Sequence, residues 1–262
     1  MMALARVDRQ GDRLVVVNLN SARRGALSPE LYDAILGAVQ AARDPKVGAI
    51  ILTSEGGYFC AGGDLNLIRE RQGLSEAERR VRIEHLHDCV RAIRSSEVPV
   101  IAAVEGGAAG AGLSIALACD LIVAATGAKF VAAYVKAGLV PDGGLTSALA
   151  RTVPRQLAME MCLLGKPVVA ERMAELGVVN SVVPPGTVDA TAHKLADALA
   201  QGPRKAQHVI RSAVAQAYEA REAEQLTHER NSMAAAIGAD EAEEGIDAFL
   251  AKRPPDFRRL RG

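Results

Sequence analysis

Short β-branched runs alternate with longer stretches whose apolar residues recur at helical spacing. Leu14-Val15-Val16-Val17-Asn18-Leu19 reads as a strand. Ser28-Pro29-Glu30 opens a helix, with Ser as the cap, Pro in the first turn and an acid at the positive helix end. Leu31, Ile35, Val39 and Ala42 give that helix one apolar face. The run from Val47 to Thr53 is apolar on both faces, as in a strand covered from both sides, and a Gly56-Gly57 turn follows. Ser75 and Glu78 match a capping box, and Ile83, Leu86, Val90 and Ile93 predict the inner face of the helix they start. Pro99 to Val104 reads as another buried strand. The Gly/Ala segment Gly106 to Gly112 then feeds an apolar stretch, Leu113 to Ala118, and a short strand, Asp120 to Ala124.

Strands alternating with helices imply an α/β arrangement. The character changes after about Gly202, where Pro203 to Leu250 is rich in Ala, Glu and Arg and reads as helix throughout. The pattern divides the chain into a core, 1–202, and a helical region, 203–262, suited in part to subunit contacts. No internal repeat or low-complexity linker interrupts it.

A chain of 262 residues suits one large domain, or one domain with a smaller appendage. Lys+Arg and Asp+Glu both number 31, so the chain lacks the basic excess of a nucleic-acid or anionic-membrane protein. A small anionic ligand held by a few local cations stays possible. Trp is absent, and 4 Tyr with 4 Phe are too few for a base-stacking surface. Cys60, Cys89, Cys119 and Cys162 form no CxxC pair and no Cys/His cluster, which fits free thiols in a reducing compartment. The opening residues have no apolar signal core, so a cytoplasmic location is expected. The weakly charged stretch Gly106 to Ala128 is too poor in large apolar residues to cross a bilayer.

Three segments carry candidate chemistry. Phe59-Cys60-Ala61-Gly62-Gly63-Asp64-Leu65 joins a buried strand to a helix. Its glycines allow close backbone approach, and its N–H groups could face a polarised carbonyl oxygen. A tight turn with Asp64 as a helix cap explains it equally well. Gly106 to Gly112 also leads from strand to helix. It lacks the Lys-Ser/Thr of a phosphate loop, and Ile115 stands where the dinucleotide fingerprint needs its third glycine. Gly112-Leu113-Ser114-Ile115-Ala116 resembles a nucleophile elbow only loosely, because a Gly/Ala stretch separates the serine from its strand. Small residues for close helix packing account for the segment as well. Pro141-Asp142-Gly143-Gly144 is a turn sequence, and a carboxylate between an apolar run and a glycine pair is partly desolvated and suits proton transfer. His85 and His87 lie two apart on one helix, toward different faces, and no HExxH is present, so no metal site is expected.

In this order the segments resemble the crotonase (enoyl-CoA hydratase/isomerase) superfamily over nearly the whole chain. Ala61 to Leu65 resembles its first oxyanion turn, Gly106 to Gly112 its second, and Gly138 to Gly144 its next active-site loop. Leu164 to Pro167, Ala170 to Arg172 and Leu176 to Asn180 resemble its following helix-and-strand block, and Ala248 to Phe257 its C-terminal signature. The resemblance implies a spiral of ββα units with a C-terminal helical trimerisation region. It implies an acyl-CoA thioester as substrate, a homotrimer or homohexamer, and no cofactor beyond the coenzyme A of the substrate.

By the same resemblance, the N–H groups of Gly63 and Ala111 form an oxyanion hole, Ala111 standing where the family often has Gly. Arg23 and Arg24 border the coenzyme A phosphates and adenine. Ala61, Gly62, Asp64, Leu65 and Gly110 lie beside the adenine, the pantetheine and the hole. Lys252 and Phe257 match a C-terminal nucleotide contact that reaches toward a neighbouring subunit, although Arg23, Arg24 and Lys252 also read as plain surface charge.

The departures from the family pattern shape the expected chemistry. The two glutamates with which the hydratases activate water fall at Ser114 and Tyr134, and neither residue can serve as a carboxylate base. Asp142 aligns with the acid that several isomerases, hydrolases and dehalogenases of the superfamily use. One base suffices to take a proton from one carbon and return it to another, whereas hydration is easier with two. The expectation is double-bond isomerisation, or a related step in unsaturated or aromatic acid (phenylacetate-like) degradation. A hydratase with a rebuilt site, a thioester hydrolase and a catalytically weak thioester binder remain as alternatives.

Overall fold

The β-branched runs become the middle of a sheet. The computed structural model describes residues 3–261. The chain opens with β1 (Ala5–Gln10) and β2 (Arg13–Asn18), followed by α1 (Pro29–Ala41) and β3 (Ala49–Ser54). Next come α2 (Leu65–Glu70), α3 (Glu76–Arg94), β4 (Val100–Val104), β5 (Gly107–Ala109) and α4 (Ala111–Ala118). Then follow β6 (Leu121–Ala125), β7 (Lys129–Val131), α5 (Leu145–Thr152), α6 (Arg155–Leu164) and β8 (Val168–Val169). The chain closes with α7 (Ala170–Glu175), β9 (Ser181–Val183), α8 (Val188–Gln201), α9 (Arg204–Ala217), α10 (Glu222–Ile237) and α11 (Asp240–Leu250).

The larger sheet has the order β1-β2-β3-β4-β6-β9, parallel throughout except for the β1–β2 hairpin. A smaller sheet, β5-β7-β8, begins immediately after β4. Ile50, Ile51, Val100 and Ile101 are fully buried at the centre. Each such side chain contributes roughly 1.5–3 kcal/mol by leaving water. Ser28 caps α1 by accepting the Leu31 N–H at 3.3 Å, and Ser75 and Glu78 close the expected capping box on α3. α4 is apolar on every side and is buried almost throughout.

One expectation needs correction. Ile83 does not belong to the inner face of α3: it is exposed, and the buried positions are Leu86, Cys89, Val90 and Ile93. The first half of that long helix runs past the core, so its pattern there is not read out by packing. β1 has no strand pattern in the sequence, because its residues are mostly charged or polar. It is an edge strand whose pairing comes from the hairpin with β2 rather than from burial. Of the four free cysteines, Cys60 and Cys89 are buried and Cys119 and Cys162 partly so.

α9 and the chain end are tied to the sheet edge where β3 and β4 begin. Arg204 donates to the carbonyls of Val47 (3.0 Å) and Ala42 (2.8 Å), and Arg211 to those of Ser96 and Ile93. Arg258 reaches Asp12 at 2.5 Å, and Arg261 the Gly202 carbonyl at 3.0 Å. Behind them Glu244, buried on α11, accepts from Arg253 (2.7 Å), the Asp256 N–H (2.7 Å) and Arg259. These partners hold its carboxyl at about 2, against an ordinary 4.5.

A carboxyl depressed in this way stabilises the folded state fully above its unfolded value and ceases to do so as pH falls through the folded one. The segment 251–261 is therefore expected to loosen as pH drops from 4.5 toward about 2. Glu244→Gln is expected to loosen it at neutral pH. Hydrogen exchange of the amides of 251–261 checks this, and unchanged protection in Glu244→Gln at neutral pH would contradict it.

Candidate active site

β3 and β4 are parallel neighbours, with Ile50 opposite Val100 and Leu52 opposite Ala102. The chain therefore leaves both strands at the same edge, and the two Gly-rich turns meet there. The Phe59 N–H donates to the Glu105 carbonyl (2.8 Å) and the Ala109 N–H to the Cys60 carbonyl (2.8 Å). The approach is so close that a Cβ on Gly62 would lie 2.7 Å from the Ala109 oxygen and 3.2 Å from the Ala111 nitrogen.

Peptide planarity then sets where two N–H groups point. The Gly62 carbonyl is fixed by the Leu27 N–H at 2.8 Å, so the Gly63 N–H across the same trans peptide faces the opposite way. The Gly110 carbonyl accepts from Leu113 (2.9 Å) and Ser114 (3.2 Å) inside the first turn of α4. The Ala111 N–H therefore points out of the helix at its positive end. Neither N–H has a partner among the described residues. Two backbone donors without partners thus lie on touching turns, the kind of group that stabilises an oxygen carrying negative charge where both point at it.

Asp142 comes to this site through Ser114 and Tyr134. Tyr134 lies on the single-turn helix Ala133–Ala137, and its ring lies 3.9 Å from where a Cβ on Gly110 would stand. Its hydroxyl donates to Asp142 Oδ1 at 2.7 Å. Burial first, and then the Asp142 charge, push the phenol well above its ordinary value of 10.0, so it remains a neutral donor. Ser114, buried on α4, lies 3.3 Å from the Tyr134 hydroxyl and donates to the Asp142 main-chain carbonyl at 2.9 Å. Gly143 has φ +59, and a Cβ there would stand 2.8 Å from the Ser114 Cβ, so a glycine lets the loop lie flat on α4. Asp142 Oδ2 has no hydrogen-bond partner among the described residues. The carboxylate thus has one oxygen held and one open to a proton.

The remaining expected residues divide into two groups. Arg23, Arg24, Ala61, Asp64 and Leu65 border the first turn. Asp64 caps α2 through the Asn66 N–H (2.9 Å) and pairs with Arg23, so the turn residue expected from sequence is a helix cap as well. The Arg24 guanidinium stacks 4.1 Å over the Tyr58 ring, while its carbonyl accepts the Ala61 N–H at 3.0 Å. Leu65 is an exposed apolar side chain beside that cap. Lys252 and Phe257 form the other group. They belong to the segment anchored where β3 and β4 begin, and the chain does not bring them to its own Gly-rich turns.

A family model described as enoyl-CoA hydratase/isomerase matches residues 9–260. The chain belongs to that family. Among its relatives in this family, a 1,2-epoxyphenylacetyl-CoA isomerase of Escherichia coli is 38% identical over 83% of this chain and 84% of its own length. An enoyl-CoA hydratase of Mycobacterium tuberculosis, EchA19, is 35% identical over 97% of this chain and 96% of its own length. The crystal structure of an enoyl-CoA hydratase from a Polaromonas species superposes with a TM-score of 0.93 at 38% identity, covering 96% of this chain and 98% of that one. The crotonase fold expected from the sequence is the fold observed.

The sequence reading missed His87. Its Nε2 accepts the Gly143 N–H at 3.2 Å, which places α3 beside the Asp142 loop, while His85 packs edge-on against Tyr32. The two imidazoles do point in different directions, but one of them points into the site. No spacing rule marks it, because the contact joins residues 56 positions apart. Cys60, at the heart of the first turn, is pushed up to about 12 by burial and stays a thiol at neutral pH.

Proposed function

We propose that the protein isomerises the double bond of an unsaturated acyl-CoA thioester, with Asp142 as the proton carrier. The observation that carries this is the setting of Asp142: one carboxylate oxygen is held by Tyr134, whose ring packs against Gly110 of the second turn, the main-chain carbonyl is held by Ser114, and the second carboxylate oxygen has no partner among the described residues. The thioester oxygen lies between the two N–H groups. Asp142 Oδ2 takes the proton from the carbon next to the carbonyl, and the bonding electrons move onto that oxygen as an enolate. The proton returns two carbons further along as the double bond shifts. The reaction is redox-neutral and balanced by one base, so it needs no cofactor beyond the coenzyme A of the substrate. Arg23 and Arg24 border the coenzyme A phosphates. Lys252 and Phe257 would have to come from a neighbouring copy in a trimer or hexamer. The 38% identity to a 1,2-epoxyphenylacetyl-CoA isomerase supports isomerisation in unsaturated or aromatic acid breakdown.

A second reading is hydration, favoured by the number of relatives named as hydratases. In that reading Ser114 and Tyr134 would hold the water. One experiment separates the two. The protein, its assembly state checked by light scattering, is incubated in deuterated water with a β,γ-unsaturated and an α,β-unsaturated acyl-CoA. Isomerisation of the β,γ-substrate moves the double bond next to the carbonyl and leaves any solvent deuterium two carbons beyond the carbon beside the carbonyl, whereas hydration of the α,β-substrate puts deuterium on that nearer carbon. Hydroxyacyl-CoA forming faster than the isomer would overturn the proposal.

A further inference from the structure

Asp142 and Gly143 share one peptide plane, and that plane is gripped at both ends. Its carbonyl accepts from Ser114 Oγ on α4 at 2.9 Å, and its N–H donates to His87 Nε2 on α3 at 3.2 Å. The plane is therefore fixed across the gap between two helices, and it carries the Asp142 side chain. A backbone N–H can only donate, so Nε2 bears no proton and the ring proton sits on Nδ1. Nδ1 faces Glu84 Oε2 at 3.8 Å on the same helix, and Glu84 is itself held by Arg91, which also binds Asp88. On the loop side the charged residues are Asp142, which carries the anchored peptide, and Arg94, whose guanidinium lies alongside Gly144.

We propose that His87 is a positioning residue for Asp142, holding the loop by accepting the Gly143 N–H, and that its protonation releases the loop and lowers turnover on the acid side. This inference rests on Asp142 being the base. A protonated imidazole presents Nε2–H to the Gly143 N–H, two donors face each other, and one end of the peptide loses its anchor. The contact of His87 with the site runs through the Gly143 N–H, so its loss is expected to appear in kcat rather than in thioester affinity.

The test is the pH profile of kcat and KM on a β,γ-unsaturated acyl-CoA, measured between about pH 5 and pH 8, the range in which imidazoles titrate. Wild type is expected to lose kcat toward acid, with KM little changed. His87→Ala is expected to lower kcat at the top of the profile about five- to tenfold, the worth of one lost hydrogen bond. His87→Gln, whose side-chain oxygen accepts the same N–H without titrating, is expected to recover most of that loss and to flatten the acid limb. An acid limb in His87→Gln identical to wild type, or full activity in His87→Ala, overturns the proposal. Asp142→Asn is measured alongside. Normal turnover in that variant overturns the assignment of the base, whereas an inactive Asp142→Asn beside an unaltered acid limb in His87→Gln overturns the role of His87 alone.

Discussion

Asp142→Asn is expected to lower isomerase turnover by about 10²–10⁴-fold, the usual contribution of a general acid–base group. The substitution keeps the shape of the side chain. Its Oδ1 still accepts the Tyr134 hydroxyl, and its main-chain carbonyl still accepts from Ser114. The loss falls on Oδ2, the oxygen open to a proton, which an amide replaces with a donor. Folding and coenzyme A affinity are therefore expected to survive, and the effect to appear in kcat. Ser114→Ala removes only the hydroxyl that steadies the loop, and its cost is expected to stay near tenfold or below, as for one neutral hydrogen bond. Hydration with water held by Ser114 and Tyr134 reverses that order. Initial rates of both variants on one substrate, with calorimetric titration of coenzyme A, decide between them. A nearly normal Asp142→Asn beside an inactive Ser114→Ala would reverse the roles assigned here.

The sequence revealed some of this well because local physics determined it. Val47 to Thr53 and Pro99 to Val104 are short, β-rich runs apolar on both faces, the pattern that suits a strand covered from both sides. Ser28 and Ser75 mark their helix starts by chemistry that acts within one turn. Gly62, Gly63 and the segment Gly106 to Gly112 each read alone as a turn or as close packing, and only their order along the chain, with the Asp142 loop after them, carries the resemblance. What stayed hidden depends on distant partners. β5 and β7 are three residues each and gain their structure from pairing with each other. Lys252 and Phe257 look like part of the site by resemblance alone, because the segment that carries them docks at the far end of β3 and β4. His87 reads as an ordinary helix residue until the Asp142 loop arrives beside it. Ser114 and Tyr134 were placed by their departure from a two-glutamate pattern, but their shared grip on Asp142 is visible only in three dimensions.

Gly62→Ala is expected to lower kcat by about 10²–10³-fold, the cost of losing an oxyanion donor at about 2.7–4 kcal/mol. Gly62 has φ +92, where an L side chain is strained by about 1–3 kcal/mol. The added Cβ would also stand 2.7 Å from the Ala109 oxygen and 3.2 Å from the Ala111 nitrogen. Both atoms are backbone, and the two segments are bonded to each other through Ala109 and Cys60, so no side chain can swing aside to relieve the clash. The turns must separate, and the Gly63 and Ala111 N–H groups then no longer converge on one oxygen. Gly37→Ala is the matched control. Gly37 lies within α1 with nothing near its added Cβ, and a helix gains roughly 0.5–1 kcal/mol from that exchange. Thermal melts are expected to move in opposite directions for the two variants, with turnover falling only in Gly62→Ala. A folded Gly62→Ala that works within threefold of wild type would show that the contact between these two turns does not form the hole.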